Sequence, residues 1–391
     1  PVLKFFPDYA PAEPNENLRA LRVKDLLTMS TGQHPDGIET FHLEDPGDLV
    51  AKFFSIPLEH KPGTFFHYNS GATFLLSVIV QRLTGQTVRD YLVPRLFEPL
   101  GIAPPKWDET AQGFSYGASG LHIRTEDIAR FGQLYLQKGE WQGKQLLPKS
   151  WIEEATAKQV SNGSDPTGNW DQGYGYQFWR CPHDLYRADG AFGQYCIVID
   201  QHDTVLAMTC GTADMATVMN TAWEILLPAF RDSPLPADPE AHAALLAKLA
   251  SLTVPPQLGE ARSEVAASVI GKRYAFPENM LGLVAITLDS IGADGVGSFT
   301  FDWNGVKEHY TAGPGEWRRG GAFLFPNGPT PVAASGAWTD ANSYALKLCA
   351  YQTPFTITQR LRFTDKQLIV DLEINVAFGN RSLPTMTGTA E

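Results

Sequence analysis

The segment Phe65-Phe66-His67-Tyr68-Asn69-Ser70-Gly71-Ala72 leads into a run of mainly apolar residues that ends at Thr84-Gly85. The apolar residues from Ala72 to Leu83 cover more than one face of a helix, which predicts a helix that is buried nearly all round. Gly85 favours the end of this helix, and Asn69 and Ser70 stand where their side chains can cap its first turn. We interpret the rest of the chain outward from this predicted core helix.

Tyr68 would lie at the N-terminal mouth of the core helix. The positive end of a helix dipole favours a negative charge, and at this place it would favour a phenolate. Tyr68 is therefore a candidate general base. On these residues alone, Tyr68 also fits the wall of a core and Ser70 fits a simple helix cap, so both interpretations stay open at this point.

A resemblance favours the functional interpretation. Tyr68-Asn69-Ser70, with Leu75-Leu76 farther along the helix, resembles the Tyr-x-Asn motif of the serine β-lactamase and penicillin-binding-protein superfamily. The chain is most similar to the branch that contains class C β-lactamases, D-alanyl-D-alanine peptidases, and related esterases and amide hydrolases. The resemblance implies that Tyr68 is the general base. It also implies that Ser70, which stands in place of the usual Asn, bonds to a catalytic lysine or to the substrate.

Two other segments resemble the same superfamily. The segment Gly120 to Phe131 resembles a family segment that begins a helix, and we predict Thr125 as the cap of this helix. Tyr186 to Tyr195 resembles the strand and turn beside the oxyanion hole, with Gly190 as the motif glycine. Ala188 occupies the position where lysine or histidine usually stands, so the resemblance fits an ester or amide substrate better than a penicillin-like carboxylate.

Glycine at positions 190 and 193 would let backbone N–H groups approach a developing oxyanion, which is the costly charge in acyl transfer. A tight hairpin turn without a ligand explains the same residues equally well. Tyr174, together with Tyr176 and Trp179, resembles family positions at the rim of the pocket. An aromatic strand that only fills a core is the simpler alternative.

An acylating site of this superfamily also needs a serine followed by lysine three positions later, because this spacing puts both side chains on one helical face. No serine in the 391 residues has lysine at that distance. In the family this pair lies upstream of the phrase that Pro1 to Pro7 resembles. We therefore expect an N-terminally truncated hydrolase that is inactive as residues 1–391. A non-catalytic binding or regulatory protein of the same fold is the alternative.

Gly113-Phe114-Ser115-Tyr116-Gly117 matches a different motif, the Gly-x-Ser-x-Gly nucleophile elbow of α/β-hydrolases. The elbow needs a buried strand before the serine and a helix directly after it. The polar segment Asp108 to Gln112 precedes Ser115 instead, and a strand-like run follows it. Ser115 is therefore only a second alternative nucleophile.

Composition limits the partners and cofactors. The net charge of −12 argues against nucleic acid and anionic membranes as partners. The nine histidines form no metal-binding spacing, and no phosphate-binding glycine loop is present, so we predict no metal and no cofactor. The expected partner is a small ester, amide or peptide-like substrate.

His67 is a candidate proton relay or a plain pocket residue. Cys196 and Cys210 could face each other across a hairpin, although buried thiols fit the sequence better.

The order of predicted elements is helices, then antiparallel strands, then a helix, which indicates an α+β domain over residues 1–232. A linker with one short helix follows at 233–256, and short alternating strands predict a β-barrel or sandwich at 257–391. Asp45-Pro46 predicts a helix start.

No membrane span is visible. The family resemblance slightly favours the periplasm or secretion. A truncated sheet would leave an open edge, which favours a homo-oligomer or reassociation with the missing segment.

Overall fold

A computed structural model describes residues 1–325 and 328–391. The chain divides into two units, Pro1–Thr209 and Cys210–Glu391. The domain boundaries predicted from sequence, after residues 232 and 256, stay a prediction. The two units are described separately.

Helices make up most of the first half of unit 1. They are α1 Glu16–Ala20, α2 Val23–Leu27, α3 Pro35–Glu39, α4 Leu49–Ser55, α5 Ser70–Thr84, α6 Val88–Leu92 with a π-helical continuation at Val93–Phe97, α7 Thr125–Leu136 and α8 Lys149–Thr156. The predicted core helix is confirmed as α5. Phe74, Leu75 and Val78 are fully buried in its centre, and Gly85 ends it in the left-handed conformation with φ 72°.

Two predicted helix starts are wrong by a few residues. Helix α4 is capped by Asp48, whose Oδ1 accepts hydrogen bonds from the N–H groups of Val50 and Ala51, whereas Asp45 pairs with Lys52. Helix α7 is preceded by Arg124 rather than capped by Thr125. The Thr125 hydroxyl instead bonds to the Thr209 hydroxyl at 2.8 Å. The Thr125 hydroxyl, which the local sequence assigns to the helix cap, therefore bonds to a residue of a later strand instead.

The second half of unit 1 contains antiparallel strands. Two short ladders join β1 Lys106–Trp107 to β2 Leu121–His122 and β3 Glu140–Trp141 to β4 Lys144–Gln145. The larger sheet has β5 Trp179–Arg180, β6 Tyr186–Gly190, β7 Gln194–Ile199 and β8 Thr204–Thr209 in chain order. The sequence predicts strands at 174–179, 184–189, 195–200 and 205–210: the last three match β6, β7 and β8, whereas the first shares only Trp179 with β5. Cys196 pairs in register with Ala207, and all four cysteines are free thiols.

Helix α7 packs closely on β7 and β8. A Cβ atom added to Gly132 would lie 2.5 Å from Val205 Cγ1 and 2.6 Å from Cys196 Sγ, which is closer than atoms pack in proteins. Glycine at 132 therefore sets the spacing between helix and sheet. The last strand, β8, pairs only with β7 among the described residues, and its side chains from Thr204 to Met208 are half-exposed.

Unit 2 begins with helical segments and continues as sheet. Its helices are α9 Met215–Thr221, extended by a π-helical turn at Ala222–Leu226, α10 Pro239–Ser251 and α11 Ala266–Val269. No residue of α10 is buried. Its strands are β9 Arg273–Ala275, β10 Leu283–Ile291, β11 Gly297–Trp303, β12 Val306–Ala312, β13 Arg318–Phe325, β14 Gly328–Trp338, β15 Ser343–Cys349, β16 Thr356–Phe363, β17 Gln367–Ile374 and β18 Met386–Ala390.

These strands form one antiparallel sheet in the order β12-β11-β10-β9-β18-β17-β16-β15-β14-β13. Its two end strands meet through side chains: Ala322 N–H donates to Glu308 Oε2 at 3.1 Å, and the Tyr310 hydroxyl donates to the Ala322 carbonyl at 2.7 Å. The sheet thereby closes almost completely around an aromatic core that includes Phe299 and Trp338. The predicted all-β domain is confirmed as a near-barrel.

Unit 1 combines helices and antiparallel strands, as predicted, and the near-barrel sheet of unit 2 lies within residues 257–391, where the sequence predicts strands. Among the described helices, none combines the length and the apolar character that crossing a bilayer requires.

Candidate active site

Tyr68 lies immediately before α5, at the place that the sequence predicted. It is 45% exposed, so its ring is neither free in solvent nor enclosed in the core. The ring stacks on the indole of Trp179, with ring centroids 5.8 Å apart and an angle of 15° between the planes. The phenol of Tyr68 is thus held beside the strand β5 rather than in packed hydrocarbon.

Behind Tyr68, aromatic rings form a continuous wall. Tyr174 is only 2% exposed and meets Trp179 edge to face, with centroids 5.0 Å apart. Phe66 contacts both of them, at 5.3 Å from Tyr174 and 5.9 Å from Trp179. Edge-to-face packing of this kind stabilises the arrangement beyond the apolar area it buries. Tyr174 therefore belongs to the wall that fixes Trp179, and through Trp179 it fixes Tyr68.

A buried ion pair lies on the neighbouring strand β6. Arg187 is 0% exposed, and its Nε donates to Asp189 Oδ2 at 2.8 Å. Its Nη1 donates to the Asn169 carbonyl at 2.9 Å, and Trp170 Nε1 donates to the same Asp189 oxygen at 3.1 Å. The guanidinium also lies over the rings of Trp170 and Trp179. This pair links the strand to the aromatic wall.

Alternation along β6 separates two sets of side chains. Arg187 and Asp189 lie on the side of Trp179, whereas Ala188 packs against the hydrophobic cluster that contains Tyr135 and Phe178. The structure thus places the side chain of Ala188 away from the aromatic wall. The polar side chain that strand β6 brings toward Tyr68 is Asp189.

The turn after β6 contains both predicted glycines. Gly190 is the last residue of β6 and pairs with Gln194, and the three-residue loop between them puts Phe192 at φ 65° and Gly193 at φ 88°. Strand β5 pairs only with Tyr186 and Arg187, so within the described residues the outer edge of 188–190 has no strand partner. Backbone groups at this edge are free to bind a ligand.

The electrostatic environment of Tyr68 differs from the one that the helix dipole suggested. Burial raises the pKa of the Tyr68 phenol above its usual value, and the negative charge of Asp189 raises this pKa further. The prediction that a phenolate is favoured here is therefore wrong for residues 1–391. The same burial, together with Tyr68 and Asp189, raises the pKa of Tyr174 well above the usual value. Both phenols are neutral at pH 7.

Asn69 and Ser70 have different environments. Asn69 is buried, its Oδ1 accepts from the Ala72 N–H at 3.1 Å, and its Nδ2 donates to Gln33 Oε1 at 2.8 Å. Asn69 is thus the cap of α5, and it holds the segment that presents Tyr68. Ser70 is half-exposed in the first turn, which leaves its side chain accessible beside Tyr68.

Replacing Asn69 with alanine should lower the free energy of unfolding by about 2 kcal/mol, because the change removes a cap and leaves Gln33 with fewer partners in a buried place. Urea unfolding measures the loss. The matched control is Thr87→Ala, which removes the cap of α6 in a less buried place and should cost about 0.5–1 kcal/mol. An equal loss in both variants would contradict the special role assigned to the buried amide.

The other candidates do not join this site. The Ser115 hydroxyl is buried and has no hydrogen-bond partner among the described residues, and no helix follows it directly. Every pair of strands in the described sheets is antiparallel, unlike an α/β-hydrolase sheet. The elbow interpretation is therefore not supported. The His67 ring is stacked parallel to Phe65, with centroids 6.4 Å apart, and its backbone N–H donates to the Met29 carbonyl.

Sequence reasoning missed Arg187, Asp189 and Trp170. Strand alternation alone could have put Arg187 and Asp189 on the face opposite Ala188. No local signal connects Trp170 with Asp189, which lies nineteen positions farther along the chain. Within the described residues, no group of three or more metal-ligating side chains is assembled.

Comparisons with known proteins identify the family of the chain. Residues 1–229 match the Beta-lactamase family model. An Escherichia coli (strain K12) protein named as a D-alanyl-D-alanine carboxypeptidase is 28% identical over 139 residues, which is 32% of each chain. The lovastatin esterase of Penicillium rubens is 31% identical over 100 residues, covering 22% of this chain and 23% of that protein. The chain thus matches about a third or less of the length of these relatives.

Among solved structures, the octameric penicillin-binding protein homologue from Pyrococcus abyssi aligns with 99% of this chain and 84% of its own, at 16% identity and a TM-score of 0.39. The family model covers more than half of the 391 residues and contains the Tyr68 segment, α7 and the β6 hairpin. The resemblance stated from sequence is confirmed. The chain belongs to the β-lactamase family of serine hydrolases and their homologues.

Proposed function

We propose that the site around Tyr68 transfers the acyl group of a small ester or amide. The observation that carries the proposal is the position of Tyr68, which is half-exposed and stacks on Trp179 of β5, the strand that pairs with β6 just before its open edge at residues 188–190. A substrate carbonyl placed at this edge would lie between a phenol and backbone N–H groups. Acyl transfer needs these two components beside its nucleophile.

In this proposal Tyr68 helps to deprotonate the attacking hydroxyl and then protonates the leaving group. The raised pKa suits the second step, because a neutral phenol can donate its proton. The first step needs a phenolate, which a nearby lysine ammonium would favour by its positive charge. Ser70 would hold that lysine or the substrate. The backbone at Gly190 and Gly193 would bind the oxyanion.

The nucleophile would come from a Ser-x-x-Lys pair outside the 391 residues, since no serine in the chain has lysine three positions later. Residues 1–391 alone would then be inactive. The relatives support an ester or amide as the substrate class, because one is named as a lovastatin esterase and another as a D-alanyl-D-alanine carboxypeptidase.

The half-exposed edge of β8 supports a partner for unit 1. An unpaired edge strand presents a row of backbone donors and acceptors to any further strand. A second copy of this chain or the segment with the Ser-x-x-Lys pair would fit there.

The experiment compares residues 1–391 with a longer chain from the same gene. Both are incubated with 4-nitrophenyl acetate, and acylation is followed by intact-protein mass spectrometry. We expect no acyl adduct on residues 1–391 and one adduct per longer chain, on the serine of a Ser-x-x-Lys pair. If the longer reading frame contains no such pair and neither chain is acylated, a non-catalytic binding protein of the same fold replaces this proposal.

Ser115→Ala should leave hydrolysis by the longer chain unchanged. The Ser115 hydroxyl is buried and unpaired among the described residues, so its removal should also change the free energy of unfolding by no more than about 1 kcal/mol. Steady-state kinetics with 4-nitrophenyl acetate measures the first quantity. Loss of the ester hydrolysis in this variant would overturn the proposed mechanism in favour of an α/β-hydrolase type.

A further inference from the structure

Asp189 has one carboxylate oxygen without a partner. Its side chain is only 8% exposed, and Oδ2 accepts hydrogen bonds from Arg187 and Trp170. Oδ1 accepts no hydrogen bond from any described residue. A carboxylate oxygen in so buried a side chain is stabilised when a donor reaches it, and Oδ1, unlike Arg187 Nη2, is not among the side-chain atoms that are both fully buried and unpaired. The free oxygen is therefore a place where a ligand donor would bind favourably.

The free oxygen belongs to the proposed site. Asp189 bonds to Arg187 Nε at 2.8 Å, and the Arg187 guanidinium lies 5.7 Å from the ring centroid of Trp179, the ring on which Tyr68 stacks. Asp189 also lies on the strand directly before Gly190, the glycine of the oxyanion turn. A group bound to Oδ1 would accordingly lie close to the bond that the proposed reaction cleaves.

The surrounding rings favour a positively charged group. The faces of tyrosine and tryptophan rings carry partial negative charge and attract ammonium groups. The exposed ring of the wall is that of Tyr68, at 45%, whereas Trp179 is stacked against Tyr68 and Tyr174 is only 2% exposed. A carboxylate and aromatic rings together form a typical binding site for an ammonium group.

No described cation is available for an anionic group at the same place. Arg187 is 0% exposed, lies against Trp170 and Trp179, and donates to Asp189, the Asn169 carbonyl and Cys181 Sγ. One of its nitrogens, Nη2, has no partner in the described part of the chain, but it is buried and out of reach of a ligand. Residue 188 is alanine, so its side chain supplies no charge.

We infer that Asp189, together with the exposed ring of Tyr68, binds an ammonium group of the substrate, so that the site takes esters or amides that carry a positive charge near the cleaved bond. This inference rests on the proposed function of the same site. It adds the charge of the substrate, which neither the family nor the proposed mechanism defines.

The test measures binding of three ligands of matched length to residues 1–391 by isothermal titration calorimetry at pH 7 and low salt. They are N-acetyl-1,4-diaminobutane, which is a cation, N-butylacetamide, which is neutral, and 4-acetamidobutanoate, which is an anion. We expect the cation to bind about tenfold more tightly than the neutral amide, as one hydrogen bond to a charged group allows. The anion should bind most weakly, and added salt should reduce the preference for the cation.

Asp189→Asn should bring the affinities for the cation and the neutral amide to within about twofold of each other. The control is Asp203→Asn, which removes the same charge from the exposed turn between β7 and β8 and should keep the preference. Since Asp189→Asn leaves Arg187 unpaired in the interior and can impair folding, Arg187→Met/Asp189→Asn is measured as well. This double variant removes both charges and should also bind the cation and the neutral amide alike.

Equal binding of the cation and the neutral amide by the unmodified chain would overturn the inference and leave the proposed acyl transfer intact. A preference for the cation that survives in folded Asp189→Asn would overturn it too. If none of the three ligands binds at its highest soluble concentration, the site around Tyr68 takes no amide. That result contradicts the proposed function together with the inference.

Discussion

Tyr68→Phe is expected to lower kcat/KM for a 4-nitrophenyl ester by about 10²–10⁴-fold in a chain that also carries the Ser-x-x-Lys pair. The change removes only the phenol oxygen, which in the proposed mechanism moves a proton in both halves of the reaction. The ring and its stacking on Trp179 are kept. Steady-state kinetics measures the effect, and the yield of acyl-enzyme shows which half of the reaction is slowed.

The matched control is Tyr351→Phe. Tyr351 is 42% exposed, close to the 45% of Tyr68, and it lies in unit 2. Its replacement should leave kcat/KM unchanged. Neither variant should alter the free energy of unfolding by more than about 0.5 kcal/mol, because both hydroxyl groups lie on exposed residues. If Tyr68→Phe retains activity like the control, Tyr68 is a wall residue and the proposed base is wrong.

Arg187→Ala is expected to lower the free energy of unfolding by about 3–5 kcal/mol. The change leaves the Asp189 carboxylate in the interior without its main partner and opens a cavity between Trp170 and Trp179. Urea unfolding followed by tryptophan fluorescence measures the loss. The control Arg95→Ala removes an exposed arginine of the π-helical turn after α6 and should cost about 1 kcal/mol or less.

A double-mutant cycle separates charge from packing at this pair. Arg187→Ala/Asp189→Ala should be less destabilised than the sum of the two single variants, because the stranded charge disappears with its partner. Simple addition of the two losses would mean that the pair is not coupled. In that case the cost of Arg187→Ala comes from the cavity alone.

The core of unit 1 could be predicted from sequence because its signals are local. Helix α5 follows from a run of apolar residues between a capping Asn69 and the left-handed Gly85, and each of these acts within a few residues. The hairpin of β6 and β7 follows from two short strands on either side of the turn that contains Gly190 and Gly193. In both cases the residues that decide the structure are neighbours in the chain.

The parts that were missed depend on partners distant in sequence. Asp48 rather than Asp45 caps α4, because Asp45 is occupied by Lys52. The Thr125 hydroxyl bonds to Thr209 instead of capping its own helix. The expected phenolate at Tyr68 depended on the helix dipole alone, whereas burial and Asp189 decide the direction of the pKa shift. None of these competing contacts has a local signature.

The near-closure of the sheet in unit 2 affects its dynamics. Strands β12 and β13 are joined by the Tyr310 hydroxyl and the Glu308 carboxylate, whereas β12 pairs with β11, and β13 with β14, through ladders of backbone hydrogen bonds. These two hydrogen bonds protect fewer backbone amide protons from exchange than a ladder of backbone hydrogen bonds does. Local opening should therefore begin between β12 and β13. In native-state hydrogen–deuterium exchange, outward-facing amides of β12 should exchange before those of β16 and β17 at the opposite side of the barrel.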